Sequence, residues 1–272
     1  MKAVVALLAG TVAIAGLSGC QTTDLWHADD ARYKFVSTSG GDVEYFQVKG
    51  TGDVGIIVIH GDVATLADTV NIIRGSFRDV AERLNKELGA TVYAIARPGN
   101  GRTVGGTFGF QSTYTEYGLG RVIEAIEGIS KIDGHKKFDI VGFSAGGATA
   151  LMVALKRPDL VRKVVTYGGE TDPLRSKAER RNHPKQFSSS DFPIYPQKLM
   201  EEIPVSQTVD YRLLFGTEDE NVPFKIGKEF ADAMKAKGFK VTFKAIEGTT
   251  HYDFMPRNGD KVQAEIRAQL TN

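Results

Sequence analysis

One serine in this chain stands where its hydroxyl could be made to attack a carbonyl. Gly142-Phe143-Ser144-Ala145-Gly146 lies between the apolar run Phe138-Asp139-Ile140-Val141 and a stretch of small helix formers, Ala148 to Leu155, that stops at Arg157-Pro158. A strand turning sharply into a helix can hold a serine in a strained backbone conformation with its hydroxyl exposed. Positions two residues either side must then be small, because side chains there would collide across the turn. Gly142 and Gly146 meet that demand, and Gly147 adds room. Among 30 glycines the five-residue pattern alone could arise by chance; strand, turn and helix in the required order give it weight. The bland alternative is a glycine turn carrying an inert serine.

A serine hydroxyl is a poor nucleophile at neutral pH and needs a base within hydrogen-bond reach, itself held in one tautomer by an acid. Two later loops offer them. Tyr211 to Phe215 is a strand pattern ending in Gly216-Thr217-Glu218-Asp219-Glu220-Asn221-Val222-Pro223, and Val241 to Ile246 is another ending in Glu247-Gly248-Thr249-Thr250-His251. Asp219 is the candidate acid, with Glu218 and Glu220 as rivals or as solvated loop acids, and His251 is the candidate base. The remaining histidines after residue 20 are His60, His27 in a polar tether, His135 in a turn and His183 in an insertion. No spaced cluster of His, Cys and Asp suggests a metal, and no cofactor is called for.

The elements that must position these groups alternate along the chain. Tyr33 to Ser37 and Val43 to Val48 flank Ser39-Gly40-Gly41-Asp42 and predict an antiparallel hairpin. Gly55 to His60 is continuously apolar up to its histidine, as expected of a strand covered on both faces. Phe77, Val80, Ala81, Leu84 and Leu88 fall at helical spacing, with Ser76 as N-cap and Asp79 three residues on. A strand at 91–96, a helix at 114–129, a strand at 137–141, the elbow helix and a strand at 161–167 follow. Strand 209–215, helix 223–237, strand 240–246 and helix 260–270 complete the series. Such alternation predicts a mostly parallel sheet with helices on both faces and the hairpin as an antiparallel edge. The candidate loops then share the carboxyl ends of the strands, where open parallel sheets place their sites.

From about Phe46 onward the chain resembles the α/β-hydrolase family, whose triad runs in the order serine, acid, histidine, here Ser144, Asp219, His251. The family's acid loop often reads G-x-x-D-x-x-V-P, matched by Gly216, Asp219, Val222 and Pro223, and its histidine loop matches Gly248 to His251. The resemblance implies an α/β-hydrolase fold with a short cap insertion. It also implies an oxyanion hole from the backbone N–H of Ala145 and, through the turn His60-Gly61-Asp62, that of Asp62, with Val63 as alternative. His60 is then a brace and the Asp62 carboxylate incidental. Some members carry the acid where Glu170 or Asp172 stands. Arg97 to Thr103 resembles the family's R-x-x-G-x-S/T loop, expected to shape the floor near the elbow; a phosphate-binding loop is the alternative, but G-x-x-x-x-G-K-[ST] is lacking. Residues 169–204 are where a small lid would sit, and Arg175, Lys177, Arg180, Arg181 and Lys185 would give it a basic face or only a solvated loop.

Met1-Lys2 followed by an apolar run to Gly16 is a start of secretory type, too short for a comfortable membrane span. Leu17-Ser18-Gly19-Cys20 resembles the lipobox of bacterial lipoproteins, which implies a signal peptide at 1–19, lipid on Cys20, a tether at 20–31 and a hydrolase domain at 32–272. An ordinary secreted protein is the alternative. Gln21 is not the aspartate associated with inner-membrane retention, so the expected place is the outer membrane, facing the periplasm. Only Lys2 among the charged residues precedes Cys20, and the net charge of +1 then falls to zero. Nothing suggests nucleic acid. The single cysteine excludes an internal disulfide.

The reaction these parts imply is hydrolysis of a small carboxylic ester through an acyl-enzyme. A thioesterase would use the same parts. So would a prolyl-oligopeptidase-like peptidase, whose elbow often reads as Gly142 to Gly147 does, although such peptidases usually carry a further large domain. A non-catalytic envelope lipoprotein on the same scaffold is the reading from another class. Oligomeric state is unreadable.

Overall fold

The computed structural model describes residues 30–62, 72–103, 113–181 and 184–272. The expected leader, Cys20 and most of the tether, with His27, Val63 and His183, lie outside the described residues. Tyr33–Thr38 (β1) and Gly41–Val48 (β2) form the hairpin, paired as far as Thr38 opposite Gly41. The turn is tighter than the four residues read from sequence, because Gly41 at φ 104° takes a conformation that lets pairing continue up to it. Gly55–Ile59 (β3), Val92–Ile95 (β4), Phe138–Phe143 (β5), Val161–Tyr167 (β6), Asp210–Gly216 (β7) and Val241–Ile246 (β8) complete an eight-stranded sheet in the order β1-β2-β4-β3-β5-β6-β7-β8. Both pairings of β2 are antiparallel and the others are parallel, so the hairpin is the antiparallel edge.

Helices Ser76–Leu88 (α1), Glu116–Asp133 (α2), Ala145–Lys156 (α3), Pro173–Glu179 (α4), Pro196–Glu202 (α5), Phe224–Lys237 (α6) and Lys261–Thr271 (α7) link the strands. Ser76 is not the cap of α1: the first helical bond runs from the Asp79 N–H to Gly75 O, so Gly75 occupies the cap and Ser76 lies inside. α2 starts at the cap Thr115, whose side chain accepts the Gly118 N–H, and runs on to Gly134.

Alternation along each strand sorts side chains into two cores. Ile57 and Ile59 of β3 join the layer under α2, α3 and α6, whereas Ile56 and Val58 join the layer under α1 and α7. α3 packs on β5 and β6 and is itself covered by α2 and α5, so its residues from Ala145 to Leu155 are all buried. That accounts for its small, apolar composition all round. No described helix is long and apolar enough to cross a membrane.

Candidate active site

β5 ends at Phe143 and α3 begins at Ala145, leaving Ser144 alone in the turn with φ 55° and ψ −123°. It is the one non-glycine with positive φ among the described residues. Such strain persists only where the surroundings over-determine it. Here the Ser144 N–H donates to Tyr167 O at 3.1 Å, and Ser144 O accepts the Ala148 and Glu170 N–H groups at 3.1 and 3.3 Å. The glycines meet the constraint expected of them. A Cβ on Gly142 would lie 2.6 Å from Gly146 O, across the turn itself. A Cβ on Gly146 would lie 2.3 Å from the carbonyl oxygens of Ile59 and His60, so that glycine admits the end of the neighbouring strand.

The acid and histidine loops follow β7 and β8, which pair in parallel through Gly216 and Ile246. They are stitched together: the Thr217 N–H donates to Ile246 O, Glu218 N–H to Thr249 O and Gly248 N–H to the Thr217 hydroxyl. His251 begins a 3-10 turn, His251–Phe254, and is buried. Its Nε2 lies 3.0 Å from Ser144 Oγ and its Nδ1 lies 2.7 Å from Asp219 Oδ2. The other carboxylate oxygen, Oδ1, accepts the Asn221 and Val222 N–H groups at 2.9 and 2.8 Å. Both oxygens of Asp219 are therefore occupied, and its Oδ2 is the one that meets the imidazole. A Cβ on Gly168 would fall 2.9 Å from Asp219 Oδ2 and 3.1 Å from His251 Nδ1, so that left-handed glycine makes room for the pair above β6.

Serine, imidazole and carboxylate thus form one directed chain of hydrogen bonds on three separate loops. Residues 56–201, more than half of the chain, match the family described as the alpha/beta hydrolase fold. The chain belongs to the α/β-hydrolase family. No curated protein matches it. Solved structures similar in fold include an alpha-beta serine hydrolase homologue from Coxiella burnetii, 15% identical, covering 88% of this chain and 97% of that one at a TM-score of 0.64. An esterase of Pyrococcus furiosus is 14% identical, with 88% and 90% covered and a TM-score of 0.65. The acylaminoacyl peptidase of Pyrococcus horikoshii is 14% identical, with 87% of this chain but 39% of that one covered and a TM-score of 0.64.

Within this hydrolase-family site the imidazole meets Asp219 and not the rival acids. Glu218 is exposed, and Asp172 caps α4 by accepting the Arg175 N–H at 3.1 Å. Glu170 is buried beside the elbow, but its carboxylate accepts from the Tyr114 hydroxyl and from Lys177 Nζ at 2.7 Å. Burial, with Glu170 beside it, pushes the Tyr114 phenol well above its ordinary range, so it remains a donor. His60 has the brace geometry expected: its Nδ1–H donates to Gly61 O at 2.7 Å and its Nε2 accepts the Arg97 N–H at 3.0 Å. Burial and the neighbouring Arg97 charge hold its pKa well below the usual histidine value.

The Arg97–Thr103 loop does something the sequence did not indicate. The Arg102 N–H and guanidinium donate to the fully buried Glu44 carboxylate at 2.7 and 2.9 Å, and Arg74 donates to the same group. A Cβ on Gly101 would stand 2.7 Å from Glu44 Oε2. The glycine loop is wrapped round an anion of its own, a carboxylate of β2, which leaves the phosphate-loop alternative no seat. Nor is the basic face of the 169–204 segment free throughout. Arg175 pairs with Glu179 and, across on α6, with Glu229, while Lys177 turns inward to Glu170.

The sequence also passed over the aromatic floor of the site. The Phe143 ring lies 4.7 Å from the His251 ring and 4.8 Å from a stacked Phe254, which in turn stacks on Phe77 at 5.7 Å. The signal was present in the middle position of the elbow motif and in Phe254 three residues past the histidine.

Proposed function

We propose that this protein is a serine hydrolase of carboxylic esters, with Ser144 as nucleophile, His251 as general base and acid, and Asp219 as the group that orients and stabilises the imidazolium. The observation that carries the reading is the pair of hydrogen bonds, 3.0 Å from Ser144 Oγ to His251 Nε2 and 2.7 Å from His251 Nδ1 to Asp219, on a strained elbow. As Ser144 Oγ attacks the ester carbonyl, Nε2 takes its proton and then delivers it to the departing alkoxide. Water, deprotonated by the same nitrogen, releases the acid and restores the serine. The backbone N–H groups of Ala145 and Asp62 would receive the negative oxygen of each tetrahedral intermediate. Support for the second donor is the closeness of its turn to the nucleophile: a Cβ on Gly61 would lie 3.0 Å from Ser144 Cβ.

A fluorophosphonate probe tests this directly. Folded protein is expected to be labelled at Ser144 and to lose labelling in His251→Ala; equal labelling of that variant would sink the assignment. p-Nitrophenyl esters of increasing chain length, run beside thioesters and aminoacyl amides, are expected to be turned over fastest as esters. We infer further that the chain is held at a bacterial outer membrane by lipid on Cys20, on the strength of Leu17-Ser18-Gly19-Cys20 and Gln21. Metabolic labelling with palmitate, present in the natural chain and lost in Cys20→Ser, is the expected result. The 169–204 segment, as a small lid, would then shape the acyl or alcohol pocket.

A further inference from the structure

The turn that carries the second oxyanion donor has a glycine at its centre, and glycine is the residue least able to fix its own conformation. Both sides of Gly61 are nevertheless held, and by one residue. The Arg97 backbone N–H donates to His60 Nε2 at 3.0 Å, and the ring's one N–H, on Nδ1, donates to Gly61 O at 2.7 Å. The Arg97 guanidinium reaches over to the Asp62 carboxylate, Nη2 to Oδ1, at 2.8 Å and is itself fixed by the Thr113 hydroxyl. Arg97 is 1% exposed, whereas the Asp62 side chain is 29% exposed. The rigid partner is therefore the arginine, and the carboxylate is the group being held.

We propose that Arg97 and Asp62 form a strut whose task is to aim the Asp62 backbone N–H at the developing oxyanion, making both side chains positioning residues for the reaction. The proposal rests on the serine-hydrolase reading above. The Asp62 carboxylate, expected from the family resemblance to be incidental, then has a task of its own. With Arg97 buried, the ion pair also serves the fold, because losing the carboxylate leaves a buried guanidinium without its counter-ion. A donor displaced by about 1 Å can cost on the order of a hundredfold in rate. The same contact would thus bear on transition-state stabilisation beyond any part it has in folding. The alternative is purely structural, with Asp62 serving only to neutralise a buried guanidinium.

Asp62→Asn, Asp62→Ala and Asp62→Glu separate these roles. For each, steady-state constants on a p-nitrophenyl ester are measured beside the inhibition constant of a trifluoromethyl ketone, whose serine adduct carries an oxyanion. Asp62→Asn and Asp62→Ala are expected to lower kcat by about 10- to 100-fold, with KM little changed. The ketone's inhibition constant should rise by the same factor, whatever the accompanying shift in melting temperature. Asp62→Glu, which can keep the ion pair, is expected to recover part of the loss. If Asp62→Ala does not fold, the isosteric Asp62→Asn carries the test. The strut is overturned if kcat stays near the natural value while melting falls, or if kcat falls with no change in ketone affinity. A natural protein that fails to label with fluorophosphonate overturns the hydrolase reading, and the strut with it. Labelling with unaltered Asp62 variants overturns the strut alone.

Discussion

At the amino ends of β5, β6 and β7 the sheet holds a lattice of ions whose acids are buried while Arg162 and Lys240 reach the surface, whereas at the carboxyl ends of β5, β7 and β8 it buries a directed chain of hydrogen bonds. In the first region Asp139 pairs with Arg162, and Asp210 with Arg212 at 2.7 Å and Lys240 at 3.1 Å. Lys163 Nζ donates at 2.9 Å to both Gln269 O and Leu270 O, two of the last carbonyls of α7. Burial pushes the Asp139 pKa up and the Lys163 pKa down, so the lattice works against desolvation and depends on its partners. In the second region the charges are fewer, the glycines are crowded, and the chain ends on an uncharged hydroxyl, Ser144 Oγ, hydrogen-bonded to His251. One end of the sheet closes its electrostatics within the protein. The other leaves them open toward an incoming molecule. Burial of charge therefore identifies neither region as the site; direction does.

The sharpest way to break that contrast is Asp219→Asn. The Asn221 and Val222 N–H groups demand an oxygen at the Oδ1 position, so the amide NH2 would face His251 Nδ1 and force the imidazole proton onto Nε2, toward Ser144. A loss of about 10⁴-fold in kcat with the fold intact is expected, as for amide substitutions in such triads; esterase assays beside thermal melting check it. Lys163→Met, at the opposite end, should do the reverse. It leaves two helix carbonyls without a donor and is expected to cost about 2 kcal/mol of stability with kcat unchanged, read by urea unfolding beside the same assay.

Acid sensitivity should belong to the site end as well. His60 is held neutral in the fold, with its pKa below the 6.5 of the unfolded chain. As pH falls below 6.5 the unfolded state takes up a proton that the folded state refuses, so stability is lost by up to about 1.4 kcal/mol per pH unit until the depressed folded value is reached. His60→Gln is expected to flatten that limb between roughly pH 6.5 and 5.5 in unfolding measurements. The smallest effect is expected of Tyr167→Phe. The Tyr167 carbonyl holds the Ser144 N–H and its hydroxyl, kept protonated by burial, donates to Thr250 O just before the histidine. Losing that bond, and the hydroxyl's contact with Thr249 Oγ1 at 3.1 Å, should lower kcat by about three- to tenfold, with a broader pH profile as the imidazole loosens.

Most of the sheet was legible because its signals are local. β-branched runs such as Gly55–Ile59, glycines at a sharp turn and loops just past strand ends each declare themselves within a few residues. The order of Ser144, Asp219 and His251 could be read for the same reason. What escaped the sequence are partnerships between ordinary residues far apart along the chain. Glu44 with Arg102, Glu170 with Tyr114, and Phe143 with Phe254 have nothing distinctive in their types, and only the folded register brings them together. Ser76 shows the limit in the other direction: a good capping residue is passed over when the backbone enters the helix one residue earlier.

The contact of Gly146 with the Ile59 and His60 carbonyls welds the elbow to the strand end that leads into the Gly61 turn. The elbow and the turn are consequently in backbone contact, with no room for a side chain between them. On the ester-hydrolase reading, room for a bulkier acyl chain is then to be sought in the loops around that contact, with the proposed 169–204 lid among them, and any drift in substrate preference is expected there.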